Sequence, residues 1–360
     1  MKFDFLKRIC CPPEYITMPH TGVEIGNRFI RFAEFKNRKG EIILSNFGEI
    51  ILSPDTVKDG QIINRDALIK AFKVLKERIS SDFISVSVPE EKTYIFNTQI
   101  PKLKNSEIRS ALEFKLEENV PLKTDESVFE YENIKGQDSH TDINLNVSVI
   151  PKAIIESYLE VIESVGLHVI SFELESKMLA KSVVSNASGA AVLVINIKND
   201  STVLSVVTNG VVRFSSTVSV GESAMLEGLR KMKKENSVPD KIPSSFLDLG
   251  DSIDSETFDS LLNVYSILKD EVEKFNEYWL NLTGSSGGQK AERLHKIVFC
   301  GRSAALPGLM AHINQNIAMD VSLANVWVNV IDINKSIPNI GFVDSLDYGV
   351  AVGLAMPCKK

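Results

Sequence analysis

Apolar positions along this chain recur with two periods, and the places where one gives way to the other mark out its organisation. From Thr21 the pattern alternates as in strands. Thr21-Gly-Val-Glu-Ile-Gly-Asn27 leads into Phe29 to Phe35 and, after the turn Asn37-Arg-Lys-Gly40, into Glu41 to Leu52. Apolar residues at helical spacing follow over Arg65 to Arg78, and Phe83 to Val88 is again strand-like. The same order returns later. Ala191 to Ile197, the turn Lys198-Asn-Asp-Ser201, Thr202 to Val207, the turn Thr208-Asn-Gly210 and Val211 to Val218 precede a helical stretch from Glu222 to Lys234. This echo predicts a duplicated unit.

Between the two copies lies a different module, from about Phe96 to Pro151. Its helix, Asn105 to Asn119, opens on the capping-type sequence Asn105-Ser-Glu-Ile and ends before Pro121. Val128 to Asn133 and Asn144 to Ile150 predict a hairpin joined by the polar 135–142 loop. A helix from Pro151 to Val165, stopped by Gly166, and a strand from Leu167 to Glu173 complete the first half. In the second half, Ser237 to Ser245 and Leu282 to Gln289 predict loops around a helix over Ser255 to Tyr278. A strand at Lys296 to Cys300, a helix beginning near Pro307, a strand at Val326 to Ile331 and a terminal helix from Asp347 close the chain. Strands and helices mixed in this order predict α/β layers.

Composition narrows the function classes. With 360 residues, 44% hydrophobic and 24% charged, the chain has material for two domains. A net charge of -7 opposes a general nucleic-acid role, which needs clustered Lys and Arg. No apolar run approaches the roughly 18 residues of a membrane helix. The 1–9 segment sets Lys2, Lys7 and Arg8 among Phe3, Phe5, Leu6 and Ile9 without a cleavage site, which predicts a cytoplasmic protein with a short amphipathic tail for anionic lipid. Cys10, Cys11, Cys300 and Cys358 make no CxxC motif and read as reduced thiols. The five scattered histidines have no metal-ligand spacing. The acidic run Asp125 to Glu132 reads as an exposed strand face.

Three separated segments resemble the phosphate-1, phosphate-2 and adenosine motifs of the actin, heat-shock-70 and sugar-kinase superfamily. They are Gly22-Val-Glu-Ile-Gly-Asn-Arg-Phe-Ile-Arg31, Asn196-Ile-Lys-Asn-Asp-Ser-Thr202 and Ile297-Val-Phe-Cys-Gly-Arg-Ser-Ala-Ala-Leu-Pro-Gly-Leu309. The stretch between Pro101 and Tyr131, with Glu117-Glu-Asn-Val-Pro121, then Val149-Ile-Pro-Lys, Phe172-Glu-Leu-Glu175 and Asp347-Tyr-Gly-Val-Ala-Val-Gly-Leu-Ala-Met356, is similar to the type IV pilus assembly protein PilM family. The resemblance implies an actin-like, duplicated ribonuclease-H-like α/β fold of two lobes around a nucleotide cleft, with an inserted subdomain. It implies a tail at 1–20, a first subdomain at 21–95, the insertion at 96–151, a return segment at 152–190, a second lobe at 191–345 and a C-terminal helix at 346–360. It also implies a scaffold at the inner face of the cell membrane, binding the N-terminal cytoplasmic peptide of a PilN-type inner-membrane protein, with a degenerate cleft in which ATP and Mg are either held or absent. Homo-oligomers, an active ATPase of the same fold and an FtsA-like filament former are the alternatives.

The cofactor residues implied are Gly22, Glu24, Gly26, Asn27, Arg28 and Arg31 in the first loop and Asn196, Lys198 and Thr202 in the second. Gly301, Arg302 and Ser303 belong to the adenosine segment, and Glu173 and Glu175 to the connecting segment. Several depart from the motif. Glu24 and Asn196 replace aspartates that would hold a hydrated magnesium ion, and Lys198 replaces a glycine, where it is expected to obstruct the turn or else to pair with a phosphate. Arg302 stands where a purine would lie. Hydrolysis is therefore expected to be negligible. Partner capture is expected in a groove between the strand Phe83 to Val88 and the helix Asn105 to Asn119, whose Ile108, Leu112 and Leu116 share a face flanked by Glu113 and Glu117.

Overall fold

The computed structural model describes residues 19–38, 40–134, 141–185, 189–233, 242, 247, 255–284, 292–315, 317 and 319–357. The tail expected to meet lipid, Cys10, Cys11, Cys358, most of the 135–142 loop and most of the two Ser- and Gly-rich loops expected in the second half lie outside them.

The first repeat forms as the alternation predicts. Strands β1 (Thr21–Ile25), β2 (Phe29–Arg38) and β3 (Glu41–Ile51) are antiparallel neighbours. The short β4 (Val57–Lys58) and β5 (Gln61–Ile62) lead to helix α1 (Arg65–Arg78), which the Asn64 side chain caps by accepting from the Ala67 amide at 3.1 Å. Strand β6 (Phe83–Val88) then adds parallel to β1. The insertion follows as β7 (Tyr94–Pro101), α2 (Asn105–Asn119), β8 (Ser127–Asn133) and β9 (Asp142–Pro151). Helix α3 (Lys152–Ser164) ends at Gly166, whose φ of +74° closes the helix as a glycine can. Strand β10 (His168–Leu174) returns to pair parallel with β6, giving the sheet order β10-β6-β1-β2-β3.

Helix α4 (Glu175–Val183) carries the chain into the second repeat. There β11 (Ala191–Ile197), β12 (Thr202–Thr208) and β13 (Val211–Val218) are antiparallel, followed by α5 (Glu222–Lys233) and the long α6 (Ser255–Gly284). Then come β14 (Leu294–Cys300), α7 (Leu309–Ile313), β15 (Asp320–Leu323), α8 (Phe342–Ser345) and α9 (Gly349–Ala355). The order β13-β12-β11-β14-β15, with β14 and β15 parallel to β11, repeats the order and strand directions of the first sheet. The echo in the sequence is a duplicated fold.

Two expectations about elements fail. The apolar run Val326 to Ile331 is not a strand. Asn325 accepts from the Trp327 amide through its side chain at 3.1 Å, and the chain turns so that Val326, Trp327 and Ile331 drop into the core from a loop. The third parallel strand of this sheet is β15, just upstream. Asn105 is also not the cap of α2. Lys104 holds that position, and its backbone amide donates to the Glu107 carboxylate at 3.1 Å.

Three cores hold these layers. Val23, Ile30, Phe32 and Ile84 of the first sheet pack against Leu68, Phe72 and Leu75 of α1 and Tyr158, Val161 and Ile162 of α3. The second core joins β11 and β14 to α5, α6, α4 and α9, around the fully buried Trp279. The insertion has its own core. Ile108, Leu112 and Leu116 turn inward onto Ile100, Phe129, Leu145, Val147 and Val149, so the apolar stripe of α2 is not an open groove wall. Strand β6 does not face α2 as a groove wall either, since β1 and β10 pair with it on both sides. Helix α9 lies against β1 and α4. A Cβ on Gly22 would fall 2.3 Å from the Ala351 carbonyl oxygen, and one on Gly353 1.9 Å from that of Met178, so both glycines are fixed by close backbone approach. Among the described residues no helix is long and apolar enough to cross a membrane.

Candidate functional site

The carboxyl ends of the parallel strands in both sheets face one cleft, the usual place for a ligand in open α/β sheets. The chain that follows β6 supplies Glu90 and Glu91, that which follows β10 supplies Glu175, and that which follows β14 supplies Gly301. The β1–β2 and β11–β12 hairpins approach from opposite sides. A cavity of about 250 Å³ opens between them, lined by Arg28, Phe29, Arg31, Glu49, Ile51, Ile197, Lys198 and neighbours. Beneath it Glu24, Arg31, Asn196, Lys198, Gly301 and Asp347 surround a void of only about 10 Å³. Six of the predicted residues, Glu24, Arg28, Arg31, Asn196, Lys198 and Gly301, therefore line these two spaces.

Two of their cations, Lys198 and Arg31, are engaged by the protein itself. The Lys198 ammonium is 2.9 Å from Glu91 Oε1 and 2.9 Å from Glu175 Oε2, and all three side chains are shielded from solvent. Lys198 does not obstruct its turn. Its φ is not positive, and its amide donates to the Ser201 carbonyl at 2.8 Å. Arg31 lies 3.6 Å above the Phe29 ring centroid, bonds Glu49 at 2.8 Å, and reaches both the carboxylate and the backbone carbonyl of Asp347 at 2.9 and 3.1 Å. Asp347 in turn accepts from the Arg302 amide at 2.8 Å.

Electrostatics follow from this packing. Burial pushes the Glu24 carboxyl up to about 7 against the pull of Arg31 and Lys198, and among the described residues its Oε2 has no hydrogen-bond partner. Burial likewise pushes Glu175 up to about 8, with Glu91 and Glu24 adding to the effect and Lys198 opposing it. Burial also works on Glu91, but the charge and hydrogen bond of Lys198 prevail and hold it below the ordinary carboxylate value. Lys198 is raised because the two carboxylates outweigh its own burial.

The other predicted residues are elsewhere. Gly22 lies under α9. Gly26 and Asn27 form the β1–β2 turn, with the Gly26 amide bonded to the Phe29 carbonyl at 2.9 Å. Thr202 is fully buried and donates to the Val220 carbonyl at 2.7 Å, so its hydroxyl is spent on the fold. Ser303 is buried in the 3-10 turn Arg302–Ala305, and the Arg302 side chain lines a separate surface pocket with Phe47, Asp344 and Tyr348. Glu173 points out of the cleft, toward the insertion. Burial raises it, with Glu130 adding to the effect. Glu113 and Glu117 lie on the insertion, and Glu113 is 4.0 Å from Arg109. Sequence reading missed Glu49, Glu90, Glu91 and Glu222 as cleft residues. Asp347 was visible as the start of Asp-Tyr-Gly, but its role as a bridge was not.

A nucleotide with Mg fits these residues poorly. The cavity is lined by the acids Glu49, Glu222 and Asp347 beside Arg28, two of its cations, Arg31 and Lys198, are already paired, and the acids left for a metal are Glu24 and Glu175, both raised by burial. Among the described residues no group of three His, Cys, Asp or Glu could hold a metal ion.

Two repeated five-stranded sheets enclosing a cleft at their strand ends, with a subdomain inserted after β6, define an actin-like protein. The chain belongs to the type IV pilus assembly protein PilM family, whose model matches residues 22–359. The solved structure described as a PilM-PilN type IV pilus biogenesis complex is similar over 94% of this chain and 98% of that one, with a TM-score of 0.73 and 16% identity. Also similar are MreB 5 of Spiroplasma citri bound to AMPPNP, with a TM-score of 0.49 and 14% identity over 95% of both chains, and the ethanolamine utilization protein EutJ from Carboxydothermus hydrogenoformans, with 0.46 and 11% over 95% of this chain and 90% of that one. No curated protein matches the sequence.

Proposed function

We propose that the protein is a cytoplasmic scaffold of type IV pilus assembly, held at the inner face of the membrane by docking the N-terminal cytoplasmic peptide of a PilN-type protein, with a cleft that its own ion pairs fill in place of ATP. Membership of the PilM family supports the pilus role, and the relative solved as a PilM-PilN complex supports the partner. The observation that carries the docking reading is the pair of strand edges, where the first lobe meets the insertion, that have no neighbouring strand among the described residues. β10 ends the first sheet and β8 ends the insertion's sheet, so each leaves backbone groups for an added strand. Ile170 on β10 and Val128 and Tyr131 on β8 are exposed apolar anchors. Glu130 and Glu173 lie close enough to raise the latter, and Glu132 bonds Lys177 at 3.0 Å, which suits a peptide with a basic residue beside its apolar ones. This junction replaces the groove expected between β6 and α2.

The test is fluorescence titration of a labelled N-terminal PilN-type peptide from the same organism. Ile170→Asp and Tyr131→Ala are expected to weaken binding about tenfold or more, with Glu113→Lys as the unaffected control. Loss of affinity in Glu113→Lys alone would move the site to α2, and no binding to the wild type would remove the docking reading. Isothermal titration with MgATP is expected to give no saturable heat at micromolar concentrations. A tight isotherm would overturn the reading of the cleft.

A further inference from the structure

Lys198 belongs to the second lobe, and its carboxylate partners follow β6 and β10 of the first, Glu175 at the point where β10 passes into α4. We propose that Lys198 is an internal latch: its ammonium bridges Glu91 and Glu175 and holds the two lobes closed.

Each end of the bridge is anchored in its own lobe. On the second-lobe side the Glu222 and Ser223 amides, at the start of α5, donate to the Lys198 and Asn199 carbonyls at 2.9 and 2.8 Å, and a Cβ on Gly221 would lie 2.5 Å from the Lys198 carbonyl oxygen. The turn therefore moves with its lobe. On the first-lobe side Glu91 sits in the 3-10 turn Glu90–Lys92, directly after β6, and Glu175 opens α4 directly after β10. A displacement of either strand end acts on the ammonium without slack.

The same 3-10 turn makes two further contacts with the second lobe. Ser201 donates to Glu91 at 3.2 Å, and Ser215 on β13 donates to Glu90 Oε1 at 2.6 Å, while Glu90 Oε2 accepts from the Ser176 amide at 3.2 Å. Glu90 and Glu91 thus form a peg between β11, β13 and α4. Lys198 supplies the cation of that assembly, and low exposure keeps water from screening it: the side chains of Lys198, Glu91 and Glu175 are 13%, 14% and 3% exposed. A buried carboxylate whose cation is removed is costly, so opening the cleft meets a barrier that an exposed ion pair would not give. The latch concerns lobe closure and is independent of where a partner peptide docks.

Hydrogen exchange on the full chain tests it, comparing the wild type with Lys198→Met and Glu91→Gln. Both variants are expected to speed exchange about tenfold or more in the 90–93 and 198–202 segments, in the range of couplings between contacting residues, while β1 and β11 stay protected. Small-angle scattering should show a larger radius of gyration for both. Should Lys198→Met fail to fold, Glu91→Gln, which keeps the size and one acceptor of the original side chain, carries the test alone. Unchanged exchange in both segments of a folded Glu91→Gln variant overturns the latch. So does faster exchange spread evenly over β1 and β11, since that reports global loss of stability instead of lobe opening.

Discussion

Two hairpins face each other across the cleft, each at the same place in the same sheet order, and each carries one shielded cation. In the first hairpin Arg31 bonds Glu49 on the neighbouring strand of its own sheet and Asp347 in the C-terminal segment, over the face of Phe29. In the second, Lys198 leaves its own sheet and bonds carboxylates that follow β6 and β10 of the first lobe. The difference follows from the side chains. The planar guanidinium of Arg31 satisfies several acceptors at once and stacks on a ring, so it ties local pieces together. The single ammonium of Lys198 sits on a flexible stem long enough to cross the gap. Duplicated topology has thus been put to two uses, one hairpin bracing its own lobe and the terminal segment, the other bridging the lobes.

The largest effect that tests this contrast is Arg31→Ala. It leaves Glu49 and Asp347 shielded without their cation, and urea unfolding should show a loss of about 3 kcal/mol. A loss under about 1 kcal/mol would mean that the first hairpin is not braced by charge. Gly301→Ala comes next, at about 2 kcal/mol or more. Its φ is +84° and its added Cβ would fall 2.1 Å from the Ile197 carbonyl oxygen at the base of the second hairpin. A wild-type melting temperature in that variant would show that β11 and β14 can part there.

Smaller, and with a definite sign, is the pH dependence. Glu24 is raised in the folded protein from an ordinary 4.5 to about 7, so folding favours its protonated form. That contribution is fully present below 4.5 and is lost as pH rises through about 7. Between pH 6 and pH 8 Glu24 alone should cost about 1 kcal/mol, and Glu175, raised to about 8, loses its share in the same direction over a higher range. The groups facing Glu24 are Arg31, Lys198, Asp347 and Glu49, and Glu24→Gln should flatten the profile while they remain. A stability that rises from pH 6 to pH 8 contradicts this. The smallest effect belongs to Arg28→Ala, three residues before Arg31 and at the rim of the same cavity, where partial exposure limits the cost to about 0.5 kcal/mol. A drop comparable with that of Arg31→Ala would show that both arginines brace the lobe.

The sequence by itself determined the elements and their repetition. Short continuous apolar runs such as Ala191 to Ile197, bounded by Asn, Asp, Lys and Gly turns, have one good burial as strands, and the helical spacing of Leu68, Phe72 and Leu75 has one good burial as a face of α1. The convergence of Glu24, Arg31, Asn196, Lys198 and Gly301 was also legible, through the resemblance of their three segments to nucleotide-cleft motifs, and each lies at or beside a strand end that reaches the cleft. Periodicity could not say which side of an element is already occupied. Ile108, Leu112 and Leu116 have the spacing of either a docking face or a core, and only the sheet of β7, β9 and β8 packed beneath them decides for the core. Nor could it separate Val326 to Ile331 from a strand, because the turn depends on an Asn325 side chain bonding backbone two residues on. The partners of Lys198 were the least visible. Glu91 and Glu175 lie 107 and 23 residues away and come within 2.9 Å only when both sheets have folded. Charge acts through space, and the tertiary structure alone sets those distances.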